Sequence, residues 1–293
     1  MFNLLESICY PPPVEAFARF DRMTLSENLW FCEILRQPHN EPAPRQLLWP
    51  EVPTSWIPLD ASATLWNQLI RKLGVPEGAT KEGLRFEEID SIEDRAELRK
   101  KYDDIHALII ALQMSEKLNM KQRGKPSRTR HSVPFFEQTI DGACGFYSIL
   151  HALSHGPPAS MLGSNSLLTD VFVLSNEMSL TPDNYALALE LNKRLEEAYT
   201  DVAIQGESVF ALEEPAMRYI CMVNFDGNLY HLDAKRNRPG NLGPSAENVL
   251  CDKCLDHVNR VLEASAVRKP VTMLALISGQ DPKERKQKQV PQP

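Results

Sequence analysis

Apolar residues recur at helical and at strand spacing in the first half of the chain. Residues 63–73 place apolar side chains at helical spacing and end at Gly74, which predicts an amphipathic helix. Arg85–Ile89 has an alternating pattern and predicts a strand. Ile105–Leu112 is a nearly continuous apolar run, typical of a strand that is buried on both faces.

The second half of the chain contains the strongest turn signal. Met217–Phe225 and Leu229–Leu232 are strand-like and joined by Asp226-Gly227, a dipeptide typical of tight hairpins. Counting back from a two-residue turn places Met222 opposite His231. The remaining predicted elements are two helices, at Thr181–Ala198 and Val249–Leu262, and a last strand at Val271–Ile277. Helices mixed with largely antiparallel strands predict an α+β domain.

Both ends of the chain differ from its middle. Residues 1–55 are rich in proline around one helical pattern at Ser26–Arg36, and we interpret them as an N-terminal extension. Residues 280–293 consist mainly of charged residues, Gln and Pro, which is typical of a disordered tail. The folded domain is therefore predicted to span residues 56–279.

Composition restricts the class of protein. The 293 residues are 43% hydrophobic and carry a formal net charge of −7, which suits a globular domain and disfavours a nucleic-acid partner. No apolar run reaches the roughly 18 residues of a membrane span, and the N-terminus lacks a signal-peptide pattern. The six cysteines are too sparse for a disulfide framework. We therefore expect a cytoplasmic or nuclear protein with thiol cysteines and without membrane partners.

One cysteine stands where a nucleophile is expected. Cys144 follows Asp141-Gly142, where the pattern changes from strand to helix, and therefore lies in the first turn of a predicted helix. Unpaired N–H groups and the helix dipole favour a thiolate at such a position. Gln138 ends the preceding strand, and its amide can donate to the oxyanion of an acyl-transfer intermediate. Gly145 would let a substrate carbonyl approach the backbone closely.

These residues resemble the active site of a known family. Gln138-Thr139-Ile140 followed by Ala143-Cys144-Gly145 is similar to the active-site segment of the ubiquitin C-terminal hydrolases, the C12 cysteine peptidases. Other segments resemble the family's opening, the helix before its crossover loop and its acid-bearing strand; they are Trp56–Leu59, Leu180–Pro182 and residues 226–239. The likeness extends over residues 56–279.

The resemblance implies a fold and a mechanism. The fold would be a papain-like α+β domain with a mainly antiparallel central sheet, flanking helices and a knotted chain. Cys144 would be the nucleophile, Gln138 the oxyanion donor and Asp233 the acid that orients the general base. The partner would be ubiquitin or a ubiquitin-like protein, and neither a cofactor nor a metal would be needed.

The general base departs from the family pattern. The family places a His fifteen residues before this Asp, and Arg218 stands there. Three interpretations are open. His231, on the same strand face as Asp233, could replace the missing base. Arg218 could instead hold Cys144 as a thiolate, which would suit thioesters better than amides. Finally, Arg218 could pair with Asp233 and leave a silent site, because a guanidinium cannot accept a proton.

These interpretations lead to different functions. The first is a thiol-dependent hydrolase that attacks the C-terminal carbonyl of ubiquitin or a ubiquitin-like tail and forms an acyl-enzyme on Cys144. The alternatives are a catalytically impaired ubiquitin-binding pseudoenzyme and an acyl-transfer enzyme or hydrolase for a small-molecule acyl substrate. Residues 206–217 match the family's crossover loop, where Glu207, Glu213 and Glu214 would complement a basic ubiquitin tail.

A second group of potential ligands lies near the C-terminus. Cys251, Cys254 and His257 have spacing that invites a metal interpretation. Zinc sites need four ligands, and no second pair lies nearby, so we expect no metal there.

Overall fold

A computed structural model of the chain describes most of the predicted domain. The described residues are 55–76, 83–102, 105–113, 133–162, 166–177, 189, 192–207, 217–245, 248–265 and 272–278. The predicted helix at Ser26–Arg36 and the tail at residues 280–293 lie outside these ranges, as does nearly all of the N-terminal extension. The domain boundaries at residues 55 and 279 therefore stay predictions.

A six-stranded antiparallel sheet forms the centre of the domain. Its strands are β1 (Leu84–Ile89), β2 (Ile105–Gln113), β3 (Met217–Phe225), β4 (Asn228–Leu232), β5 (Gly240–Pro244) and β6 (Thr272–Ser278). Their order across the sheet is β1-β6-β2-β3-β4-β5, and every neighbouring pair is antiparallel. Strand β2 is the continuous apolar run of the sequence, and it lies between two other strands with its apolar side chains buried on both faces.

Helices pack on both faces of this sheet. In the described ranges they are α1 (Ala63–Lys72), α2 (Arg95–Lys101), α3 (Cys144–Leu153), α4 (Gly156–Ser160), α5 (Leu167–Glu177), α6 (Lys193–Ala203) and α7 (Asp252–Ser265). Tyr219, Cys221 and Val223 of β3 join the core built with α1, α3, α5 and α6, and we call this face the front. Ile220 and Met222 join the core built with α2 and α7, on the back. The predicted α+β class is confirmed.

The predicted hairpin is confirmed together with its register. Asp226 and Gly227 have φ angles of 49° and 69°, as a type I′ turn requires. Met222 lies opposite His231, as the sequence predicts. Because side chains alternate along a strand, Tyr230 faces the front core and His231 faces the back.

Other boundaries differ from the predictions. The sequence predicts one helix over Thr181–Ala198, but Asn192 is extended and its side chain accepts a hydrogen bond of 3.1 Å from the Leu195 N–H, which caps the start of α6. Residues 181–188 lie outside the described part. Helices α2, α4 and α5 and strand β5 had no predicted counterpart. No helix among the described residues is long and apolar enough to cross a membrane.

Gly142 determines how the chain enters α3. Its φ of +76° is in the left-handed region, and a Cβ on this residue would lie 2.0 Å from the carbonyl oxygen of Trp56. The two segments are this close because the Trp56 N–H donates to the Asp141 carbonyl at 2.8 Å. Only glycine fits here, and the contact holds the start of α3 against the segment that begins at Trp56.

We expect Gly142→Ala to destabilise the domain strongly. The control is Gly227→Ala, which also has a positive φ but has no heavy atom within 4 Å of its added Cβ. The control should lower the free energy of unfolding by about 1 kcal/mol and Gly142→Ala by about 3 kcal/mol or more, as measured by urea denaturation. Equal losses would show that the contact with Trp56 is unimportant.

Candidate active site

Cys144 is the first residue of α3, as the sequence predicts. Its side chain is nearly buried, with Sγ 4.0 Å from the carbonyl oxygen of Gly142. The next residue, Gly145, packs against Leu59, since a Cβ on it would lie 3.3 Å from the Leu59 carbonyl oxygen. The segment after Trp56 therefore forms one wall beside the nucleophile position.

Two tyrosines hold this wall in place. The Tyr199 hydroxyl donates to the Ile57 carbonyl at 2.6 Å, and the Tyr219 hydroxyl donates to the Leu59 carbonyl at 2.8 Å. Burial raises the pKa of both tyrosines, and the nearby Cys144 raises it further. Neither tyrosine is predictable from the sequence, because buried tyrosines have no distinctive spacing. Both tyrosines are close enough to Cys144 to be affected by its charge, and both hydroxyl groups already donate to carbonyls.

Burial controls the charge of the thiol. It raises the pKa of Cys144 to about 11, although the ammonium of Lys235 and the backbone N–H groups of Gly145 and Cys144 favour the thiolate. The Asp233 carboxylate adds a smaller upward effect on the pKa. The expectation that the helix N-terminus would produce a thiolate is therefore wrong for this structure, because desolvation outweighs it.

Gln138, the predicted oxyanion donor, belongs to the segment that leads to Cys144. Its backbone N–H donates to the Ala234 carbonyl at 2.7 Å, which ties this segment to the loop after β4. Its side-chain Nε2 donates to the Ile140 carbonyl at 2.8 Å. A primary amide has two N–H groups, so this bond leaves a second N–H for an oxyanion. The predicted role of Gln138 is chemically compatible with this geometry.

Asp233 forms a buried ion pair with the residue at the base position. The Arg218 Nε donates to Asp233 Oδ2 at 2.7 Å, and an Nη group of Arg218 contacts the same oxygen. Both side chains are at most 4% exposed. Arg236 lies on the same carboxylate, with Nε 3.4 Å from Oδ2, and the Lys235 backbone N–H donates to Oδ1 at 3.0 Å. The pairing of Arg218 with Asp233 that the sequence left open is thus present.

This pairing changes what the site can do. Arg218 occupies the position of the family's general base, and a guanidinium has donors only. Both oxygens of Asp233 already accept hydrogen bonds, and none of these comes from an imidazole. Arg236 was not among the predicted site residues, although a cation three residues after Asp233 is a recognisable signal for a local ion pair.

His231 contacts α7, on the back of the sheet. Its Nδ1 is 2.8 Å from His257 Nε2 on α7, so its ring packs on the back of the sheet while α3 packs on the front. Burial lowers the pKa of His231 well below its ordinary value, with further lowering by Arg236, His257 and Arg218. The charges of Asp233 and Lys235 act on Cys144, whereas the Nδ1 atom of His231 is already engaged with His257. This contact speaks against the hypothesis that His231 serves as the base.

The potential metal ligands of α7 are dispersed. Cys251 and Cys254 are buried in the back core, and His257 is engaged with His231. Among the described residues no group of three or more His, Cys, Asp or Glu side chains could hold a metal ion.

We expect Asp233→Ala to be much more destabilising than loss of both charges. Removing the carboxylate leaves the Arg218 guanidinium buried without its counterion, which costs about 3–5 kcal/mol of unfolding free energy. The double variant Arg218→Met/Asp233→Leu should lose clearly less, because no charge is stranded. Guanidinium denaturation of both variants measures the difference. If the unfolding free energy of Asp233→Ala lay within about 1 kcal/mol of the wild-type value, the role assigned to the ion pair would be contradicted.

We also expect alkylation of Cys144 to depend steeply on pH. With a pKa of about 11, the thiolate fraction at pH 7 is about one in ten thousand, and it rises about tenfold per pH unit up to roughly pH 10. Iodoacetamide modification of Cys144, followed by peptide mass spectrometry, measures this rate, and Cys144→Ala identifies the peptide. A rate that is already maximal at pH 8 would show that the thiol is a thiolate in the resting protein.

The chain is similar in sequence to known proteins. The family model described as "Ubiquitin carboxyl-terminal hydrolase, family 1" matches residues 56–263. Ubiquitin carboxyl-terminal hydrolase 3 of Arabidopsis thaliana is 26% identical over 213 residues, which cover 71% of this chain and 88% of that protein. Ubiquitin carboxyl-terminal hydrolase isozyme L1 of Rattus norvegicus is 27% identical over 198 residues, which cover 66% of this chain and 85% of that protein.

Solved structures agree in fold. The catalytic domain of Trichinella spiralis UCH37, solved with ubiquitin vinyl methyl ester bound, superposes with a TM-score of 0.60 and 16% identity. This superposition covers 77% of this chain and 96% of that one. The papain-like fold that the resemblance implied is supported, and the knot stays a prediction. Since the family model matches well over half of the residues of this chain, the chain belongs to the ubiquitin carboxyl-terminal hydrolases of family 1.

Proposed function

We propose that this chain binds the C-terminal tail of ubiquitin or a ubiquitin-like protein at Cys144, as a family member whose amide hydrolysis is impaired. One observation carries the proposal: the buried pair of Arg218 and Asp233 fills the place of the general base and its orienting acid. The tail-binding half rests on family membership and on the ubiquitin derivative bound by the Trichinella spiralis relative.

The chemistry of acyl transfer explains which step is impaired. Attack on a carbonyl needs the thiolate of Cys144, and an amine leaving group needs a proton from the group that took the thiol proton. Burial keeps the pKa of Cys144 near 11, and Arg218 can neither take nor return a proton at neutral pH. A thioester or another activated carbonyl releases a group that leaves without protonation. Slow reaction with activated carbonyls is therefore compatible with the site, and rapid hydrolysis of amides is not.

The other hypotheses have less support. A base at His231 would have to act from the back of the sheet, where the ring is engaged with His257. A small-molecule acyl substrate has no observation in its favour. Glu207 follows α6 at the start of the expected crossover loop, and its backbone N–H donates to Asp60 Oδ2 at 2.6 Å. This bond fixes where the loop begins. Glu213 and Glu214 lie outside the described residues.

Restoring the base should raise amide hydrolysis. We compare wild type, Arg218→His and Arg218→His/Arg236→Met on ubiquitin with a fluorogenic C-terminal amide. The single variant should gain at least about tenfold in kcat/KM, and the double variant about a hundredfold, since a general base contributes roughly 10²–10⁴ in rate. The double variant should gain more because Arg236 no longer competes for Asp233, leaving the carboxylate to orient the new imidazole.

Two controls make this test decisive. Cys144→Ala in the double-variant background must abolish the gain, which shows that the new activity uses the assigned nucleophile. Ubiquitin vinyl methyl ester should label wild type slowly at Cys144 and should label His231→Ala at the same rate. Wild-type hydrolysis as fast as that of the double variant would refute the impairment. Labelling that persists without Cys144 would refute the nucleophile.

A further inference from the structure

The charges around Asp233 do not balance. The carboxylate is nearly inaccessible and contacts two guanidinium groups, those of Arg218 and Arg236. Its other oxygen accepts the backbone N–H of Lys235, whose side chain brings a third cation to the same loop. Two guanidinium groups therefore contact one carboxylate, a third cationic residue lies on the same loop, and the charge of Arg218 alone is enough to neutralise Asp233.

Lys235 lies on the loop that runs beside the segment leading to Cys144. The preceding residue, Ala234, accepts the backbone N–H of Gln138, so the loop runs beside the segment that leads to Cys144. Among the charges that act on the Cys144 thiol, the ammonium of Lys235 has a larger effect than the carboxylate of Asp233. The ion pairs between described residues include none with Lys235.

The thiol does not offset this positive charge. In a hydrolase with a resting thiolate, the negative sulfur repels the carboxylate that hydrolysis produces. Here the thiol is neutral around pH 7, so a group bound beside Cys144 meets the field of Lys235 without an opposing sulfur charge. The bonded oxygens of Asp233 add little repulsion.

We propose that the site recognises the free C-terminal carboxylate of a ubiquitin-like tail, with Lys235 as the cation that pairs with it. This inference rests on the proposed tail binding and specifies which form of the tail is preferred. A tail joined to a lysine or to a small alcohol ends in a neutral amide or ester and cannot form this ion pair. The site would thereby select the unconjugated ubiquitin-like protein, which is the product of ubiquitin C-terminal hydrolysis.

The test compares two forms of one ligand. Binding of the full chain to ubiquitin with its free C-terminal carboxylate, and to ubiquitin with a C-terminal carboxamide, is measured by calorimetry at low ionic strength. Wild type should prefer the carboxylate by about fivefold or more in Kd, the scale of one partly exposed ion pair. Lys235→Gln should bind both forms about equally, and Lys235→Arg should keep the preference.

The control variant is Lys193→Gln, at the exposed first position of α6. Lys193→Gln should keep the wild-type preference for the carboxylate form. If this variant lost the preference, the effect would come from overall charge, and the role of Lys235 would be overturned. Equal binding of the two forms by wild type would overturn the carboxylate preference and leave the proposed function standing. Binding of neither form would overturn both. Lys235 is on a partly exposed loop, and its backbone bond to Asp233 survives all its substitutions.

Discussion

The buried ion pair of Arg218 and Asp233 fixes the geometry of the whole site. Two charges removed from water are tolerated only when each is paired and its remaining hydrogen-bonding capacity is used. The carboxylate meets this condition with two guanidinium groups on one oxygen and the Lys235 N–H on the other. That last bond sets the loop after β4, where Ala234 accepts the Gln138 N–H. The position of Gln138, the predicted oxyanion donor, and that of Lys235 therefore depend on the same carboxylate.

The second constraint is the packing around the thiol. A helix N-terminus and a nearby ammonium both favour the thiolate of Cys144, and in an open site they would lower its pKa. Here Leu59 packs against Gly145, two bonded tyrosine hydroxyls hold the adjacent wall, and little water reaches the sulfur. The loss of hydration destabilises the thiolate more than the ammonium of Lys235 and the backbone N–H groups stabilise it, so the pKa of Cys144 rises. A bound tail that displaced this wall would change the balance, whereas a distant substitution would not.

Much of the fold follows from local patterns in the sequence. The period of apolar residues predicts α1, β2 and α3, and the Asp226-Gly227 turn predicts the register of the hairpin because both residues accept a positive φ. Alternation along that register already puts His231 on the face of Met222. It cannot tell which face α3 covers, since that depends on packing between distant segments. The interruption of the predicted helix at Asn192 was not foreseen from the sequence, because the capping side chain outweighs the surrounding helical pattern.

The substitution at the base position preserves charge while removing chemistry. A protonated imidazole at residue 218 would also carry one positive charge and donate to Asp233, so Arg218 reproduces the electrostatics of a site whose base is already protonated. This explains how the loop after β4 and the pairing of Gln138 with Ala234 can persist without a base. It also removes one route to the thiolate: a neutral histidine could take the proton from sulfur, whereas arginine already carries its proton, and burial keeps the thiol neutral. Arg218 thus keeps the ion pair with Asp233 and removes the proton acceptor from this position.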